Sequence, residues 1–112
     1  MYPAMNNTKW EELRLAMLNA RGHSPRWRTR DVETGYLSPW GGDWLHHFRQ
    51  GGYSNIEWVE IAAQDAEQLA TIQAALARIH VPGERTEFGF KVYGYAPAGK
   101  GVDYVLPPDN NS

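Results

Sequence analysis

Residues 36–62, YLSPWGGDWLHHFRQGGYSNIEWVEIA, hold three of the chain's five tryptophans, Trp40, Trp44 and Trp58. Two short runs are rich in aromatic and β-branched residues, and Gly41-Gly42 and Gly51-Gly52 punctuate them. That composition belongs to strands and turns. It predicts a β-hairpin, with a strand over 43–48, a turn over 49–55 and a strand over 56–62. In the second strand, Ile56, Trp58 and Glu60 alternate with Glu57, Val59 and Ile61. Both faces carry bulk, so this strand is expected to be central. Glu57 and Glu60 are expected to point oppositely, a poor arrangement for paired-carboxylate chemistry. A bare hairpin is marginal in water. Another element must cover one face, and amphipathic stretches flank the hairpin on both sides.

Before it, Thr8-Lys9-Trp10-Glu11 has the form of a capping box. Trp10, Leu13 and Met17 then recur at helical spacing, with Glu12 and Arg14 assigned to the outer face. Gly22 is the expected C-cap. Organised structure is expected to begin after Met5, which could serve as an alternative start. Residues 26–33 read as a strand with Arg26, Arg28 and Arg30 on one face and Trp27, Thr29 and Asp31 on the other. The arginines could form a phosphate-binding stripe or the solvent face of an outer strand. Asp31 and Glu33 beside them make a mixed surface, which favours the solvent face.

After the hairpin, Asp65 and Gln68 form a D-x-x-Q cap, and Leu69, Ile72, Leu76 and Ile79 repeat at three and four. His80-Val81-Pro82-Gly83 ends this helix. Residues 88–95 predict a strand with Phe88, Phe90 and Val92 inward. A turn over 98–101 leads to a last strand over 102–106, stopped by Pro107-Pro108, with a polar tail behind it. The order is α-β-β-β-α-β-β. It predicts one α+β domain spanning residues 1–112, ordered over about 7–106. The expected architecture is a two-layer sandwich: a five-stranded, mostly antiparallel sheet with two helices on one face.

A length of 112 residues suffices for one hydrophobic core. A net charge of −2 supplies no field to draw the chain to nucleic acid or an anionic membrane. The chain has no cysteine, which excludes disulfides, thiolate nucleophiles and Cys-ligated zinc. No apolar run approaches the roughly 20 residues that cross a bilayer. No basic-then-apolar secretory signal opens the sequence, so a cytoplasmic location is expected.

His46-His47 is the one metal-like feature. Neighbours on a strand point apart, so the pair cannot chelate one ion. The expected arrangement is one histidine inward and one outward. No serine has a nucleophile-elbow context and no phosphate loop is present. The expectation is therefore no catalytic residue, no cofactor and no metal. An enzyme would require a site assembled in space from groups such as Asp31, Asp43, His46 and Glu57. Trp40, between Pro39 and Gly41, could fold onto the core or stand at the surface as a binding anchor.

The runs NNTKWEELRLAM, WRTRDVETGYLSPWGGDWLHHF, GGYSNIEWVEI, IHVPGERTEFGFKVYGY and VDY resemble a family of small uncharacterised bacterial proteins. The likeness covers residue 6 to about residue 104 and carries no enzymatic residues. Small acidic single-domain proteins of this kind also resemble the immunity proteins of bacterial toxin systems. That resemblance implies a non-catalytic protein-binding module that neutralises a cognate toxin by occluding its active site. The residues expected at the interface are Asp31, Glu33, Tyr36, Trp40, Asp43 and Tyr53, with aromatics as anchors and carboxylates complementing a basic cleft. The alternative is a small regulatory or nucleic-acid-binding domain using the Arg26-to-Arg30 stripe.

Overall fold

Strand β3, Ile56–Ala62, occupies the bounds its alternation predicts and is the second strand of an antiparallel sheet ordered β2-β3-β5-β4. The computed structural model describes residues 2–20, 23–96 and 103–108. Its elements run β1 Tyr2–Pro3, α1 Asn7–Leu18, β2 Arg26–Asp31, β3, α2 Ala66–Ile79, β4 Gly83–Arg85, β5 Gly89–Tyr93 and β6 Tyr95–Ala96. β1 and β6 form a separate two-stranded sheet. The α+β class holds, with four strands plus two in place of one five-stranded sheet.

One face of the larger sheet presents Trp27, Val59, Ile61, Phe90 and Val92. They share a single core with Trp10, Leu13 and Met17 of α1 and Ile72, Leu76 and Ile79 of α2. Both helices therefore cover the same face. Close strand approach demands glycine at several places, most tightly at two. A Cβ on Gly89 would stand 1.8 Å from the Ile61 carbonyl oxygen, and one on Gly94 would stand 2.1 Å from that of Ile56.

Residues 43–48 are not a strand. Asp43 Oδ1 accepts the N–H groups of Leu45 and His46 at 2.9 and 3.0 Å, and successive turns run from Trp44 to Gly51. Trp44 and Phe48 are buried. A spacing of four places two residues on one side in both the strand and the helical period, so it did not discriminate. His46, which a strand would have turned inward with them, is exposed. The edge of β2 is instead lined by residues 36–41. Trp27 and Gly41 exchange both backbone bonds at 2.8 Å, Ser38 N–H donates to Thr29 O, and Asp31 N–H donates to Tyr36 O.

Several ends differ from expectation. Asn6 caps α1 by accepting Lys9 N–H at 2.8 Å, because Glu11 is drawn away from the helix start by Arg14 and Tyr53. Arg14 is buried and not outward. In α2, Asp65 accepts Gln68 N–H at 2.8 Å, and the Gln68 amide oxygen reaches back to Gln64 N–H at 2.7 Å. His80 ends α2 with a left-handed backbone, φ 67°. Phe88 precedes β5 and stands 69% exposed, while Phe90 and Val92 point inward as expected. No fifth strand forms over 103–106, which makes a single bridge, Pro82 with Tyr104. Short β4 pairs with β5 instead. Structure begins before Met5: Tyr2 and Pro3 pair with Ala96 and Tyr95, and Met5 itself is buried. The expected C-cap Gly22, the turn over 98–101, Val102 and the tail over 109–112 lie outside the described residues.

Candidate functional site

The edge segment 36–41 carries the candidate site. Backbone bonds to β2 fix it, and Pro39 leaves no N–H for another strand at its middle. Its side chains are turned to solvent: Tyr36 is 66% exposed, Leu37 43% and Trp40 36%. The Arg28 guanidinium lies 4.7 Å from the Trp40 ring centroid and supports it from the sheet side. Trp40 is therefore a surface ledge outside the core cluster. Grooves open on both sides of it. One, about 510 Å³, is walled by Thr29, Asp31, Tyr36, Pro39 and His47. The other, about 770 Å³, is walled by Pro25, Arg26, Glu60, Ala62 and Phe88.

Three of the six expected interface residues, Asp31, Tyr36 and Trp40, line the smaller groove together. Asp31 also organises the adjoining turn: its Oδ1 accepts Thr34 N–H at 2.9 Å and Glu33 N–H at 2.8 Å. Those bonds hold its carboxyl below the usual range. Glu33 is exposed in that turn. Asp43 is exposed at the start of the following turns, its pKa lowered by the His46 and Leu45 amides. Tyr53 sits apart, stacked on Trp10 at 5.9 Å. Leu37 and Leu45 are exposed apolar residues that periodicity does not single out, and Phe88, expected inward, is exposed as well. Leu37 was legible as part of an apolar triplet with Tyr36 and Trp40 in a proline-containing segment.

The charged groups near the site are mostly paired. Arg28 meets Glu60 at 2.8 Å and Arg30 meets Glu57 at 3.2 Å. Glu57 reaches the same face as Glu60, contrary to expectation, because the pairing register shifts at Arg30/Asp31 and inserts one extra residue in β3. Two of the three arginines of the stripe, Arg28 and Arg30, are thus held in cross-strand ion pairs. His46 and His47 are both exposed, with His47 edge-on to Trp27 at 5.8 Å. Among the described residues no group of three or more His, Asp or Glu could hold a metal ion. No helix among them is long and apolar enough to cross a membrane.

Behind the ledge, Arg14 ties α1 to the turns that follow it. Its guanidinium donates to both Glu11 oxygens at 2.8 and 2.9 Å and to the carbonyls of Trp44 and Leu45 at 3.1 Å. Tyr53 donates its hydroxyl to the same Glu11 carboxylate. Arg14, then Tyr53, hold the Glu11 pKa down from 4.5 to about 2. Burial, then Glu11, push the Tyr53 hydroxyl up to about 12. A depressed carboxylate stabilises the fold fully above its unfolded value and loses that contribution as pH falls through its folded value. Stability should therefore drop between pH 4.5 and about 2, and Glu11→Gln should flatten that drop. Denaturant titrations across this range compare the two. Parallel curves for wild type and variant would mean that the pair carries no weight.

The chain belongs to a family of unknown function (DUF6678), whose family model matches residues 1–99. No curated protein and no solved structure matches it.

Proposed function

We propose that this family member is a non-catalytic protein-binding module, and that it acts as an immunity protein by occluding the active site of a cognate bacterial toxin. The observation that carries this reading is the ledge of Tyr36, Leu37 and Trp40, solvent-facing yet backbone-fixed to the edge of β2. Rigid aromatics beside grooves bind proteins with little loss of conformational freedom. Asp31, Glu33 and Asp43 flank the ledge and complement a basic cleft, such as one that handles nucleic acid. Arg28 and Arg30 are engaged by Glu60 and Glu57, which weakens the nucleic-acid alternative.

The test begins with capture from the native host and ends with the purified partner. One equivalent of this protein should abolish the partner's toxic activity. Trp40→Ala should raise the dissociation constant roughly 30-fold, mainly through faster dissociation. The isolated variant should stay folded, because Trp40 lies outside the core cluster. Asp43→Asn should mainly slow association at low salt, since asparagine keeps the cap and removes only the charge. Recovery of nucleic acid, lost on Arg28→Ala, would overturn the reading. So would a partner whose activity is unaffected.

A further inference from the structure

We infer that the outer face of the four-stranded sheet is a two-fold docking surface for a second copy of this chain. Both helices cover the other face; on this one the Trp40 ring lies over Arg28 at one edge, and no described helix packs on the rest. Three rows of side chains cross it in register. The middle row runs Arg28, Glu60, Lys91 and Glu84, one from each strand, so its charges alternate plus, minus, plus, minus. On one side lie Arg30, Trp58 and Tyr93. On the other lie Arg26, Ala62 and Gly89.

A two-fold axis parallel to the strands, between β3 and β5, lays this face on its own copy. β2 then opposes β4 of the second copy and β3 opposes β5. Arg28 meets Glu84 and Glu60 meets Lys91, each twice. Trp58 meets Tyr93, so aromatic opposes aromatic, and Ala62 comes over the strand end at the buried Gly89. An axis along the rows would set each charge against its own kind. The alternation thus selects one closed arrangement, as an isologous interface requires.

The geometry between layers also fits. Packed sheets lie about 10 Å apart, a gap that two long charged side chains span. Aligned packing at about −30° accommodates strand twist. The charges are already oriented within each copy. Arg28 is held by Glu60, Lys91 Nζ lies 4.5 Å from the Trp58 ring centroid, and Tyr93 donates its hydroxyl to Glu84. Four strands of this length make a face of roughly 20 by 15 Å, about 300 Å² per copy and smaller than the interface of a stable dimer. The dimer is accordingly weak, with a dissociation constant on the order of 0.1–1 mM. Tyr36 and Leu37 of the ledge lie outside this surface, whereas Trp40 lies against Arg28 at its edge and Arg26, Glu60 and Ala62 also wall the larger groove of the candidate site.

Sedimentation equilibrium of the whole chain over a wide concentration range tests the arrangement. Wild type should pass from monomer to dimer, with affinity falling as salt rises. Glu84→Arg sets like charge against Arg28 at two symmetric points and should raise the dissociation constant at least about 10-fold. Ala62→Lys adds bulk and charge at the end of the face and should act in the same direction. Tyr36→Ala should leave the dimer unchanged while weakening any partner bound at the ledge. A monomer at every concentration in low salt would overturn the inference. So would a dimer indifferent to both Glu84→Arg and Ala62→Lys, whatever the outcome at the ledge.

Discussion

Trp44→Ala is expected to destabilise the protein by about 3–5 kcal/mol, the range for deleting a large buried aromatic. The ring is 1% exposed and fills the space beneath the turns that follow Asp43. It lies 4.7 Å from the Phe48 ring and 5.9 Å from the Trp27 ring, both tilted to it. Its indole N–H donates to the Pro25 carbonyl at 2.8 Å, and Pro25 is itself buried. Truncation therefore removes packing and leaves a buried acceptor unpaired, and both effects have the same sign. The surrounding backbone is held by the Arg14 bonds to the Trp44 and Leu45 carbonyls, so collapse into the cavity is restricted. Chemical denaturation monitored by far-UV circular dichroism measures the loss. A change below about 0.5 kcal/mol, the level of an ordinary surface substitution, would mean that the turns are not docked on α1 and β2.

Leu76→Ala should cost about 2–5 kcal/mol, for a different reason. Leu76 is wholly buried in the middle of the α2 stripe, between Ile72 and Ile79. Alanine keeps the helix propensity of the position, so the loss reports packing alone. Here no polar group is orphaned, and the magnitude depends on how far α2 can settle toward the sheet. The measurement is again a denaturant midpoint at constant slope. An altered slope would instead signal a change in the unfolded or native state's compactness. A loss below about 0.5 kcal/mol would detach the stripe from the core.

α2 and β3 were legible in the sequence because several local signals agreed. α2 combines an aspartate cap, alanines and a regular stripe, and β3 combines β-branched residues with bounding turns. Residues 43–48 were not legible, since the Trp44 and Phe48 spacing suits two periods. The information that decides between them is the Asp43 cap and the long-range Arg14 bonds. Arg14 itself sits among outward-facing candidates by periodicity, and only Glu11, Tyr53 and two distant carbonyls make its burial tolerable. One inserted residue in β3 reversed the expected separation of Glu57 and Glu60, as any register shift must. At the candidate site, Tyr36, Trp40 and Asp31 were legible as turn-borne aromatic and acidic groups. Sequence proximity places Tyr53 there, whereas stacking on Trp10 draws it to the core. Alternation points Phe88 inward, but β5 begins one residue later.

The tryptophans divide by environment in a way that makes the molecule its own optical probe. Trp10, Trp27 and Trp44 are enclosed in one aromatic cluster with Phe48, whereas Trp40 and Trp58 lie on the sheet's edge and outer face. The enclosed set emits from an apolar surrounding, and its fixed ring angles give asymmetric near-ultraviolet absorption that vanishes when the turns undock. Trp40 is exposed and Trp58 half-buried beneath Lys91, so a collisional quencher such as iodide reaches the first more readily than the second. One sample can thus report core integrity through ellipticity and surface occupancy through quenching. Single Trp40→Phe and Trp58→Phe replacements separate the light from the ledge and the light from the sheet face.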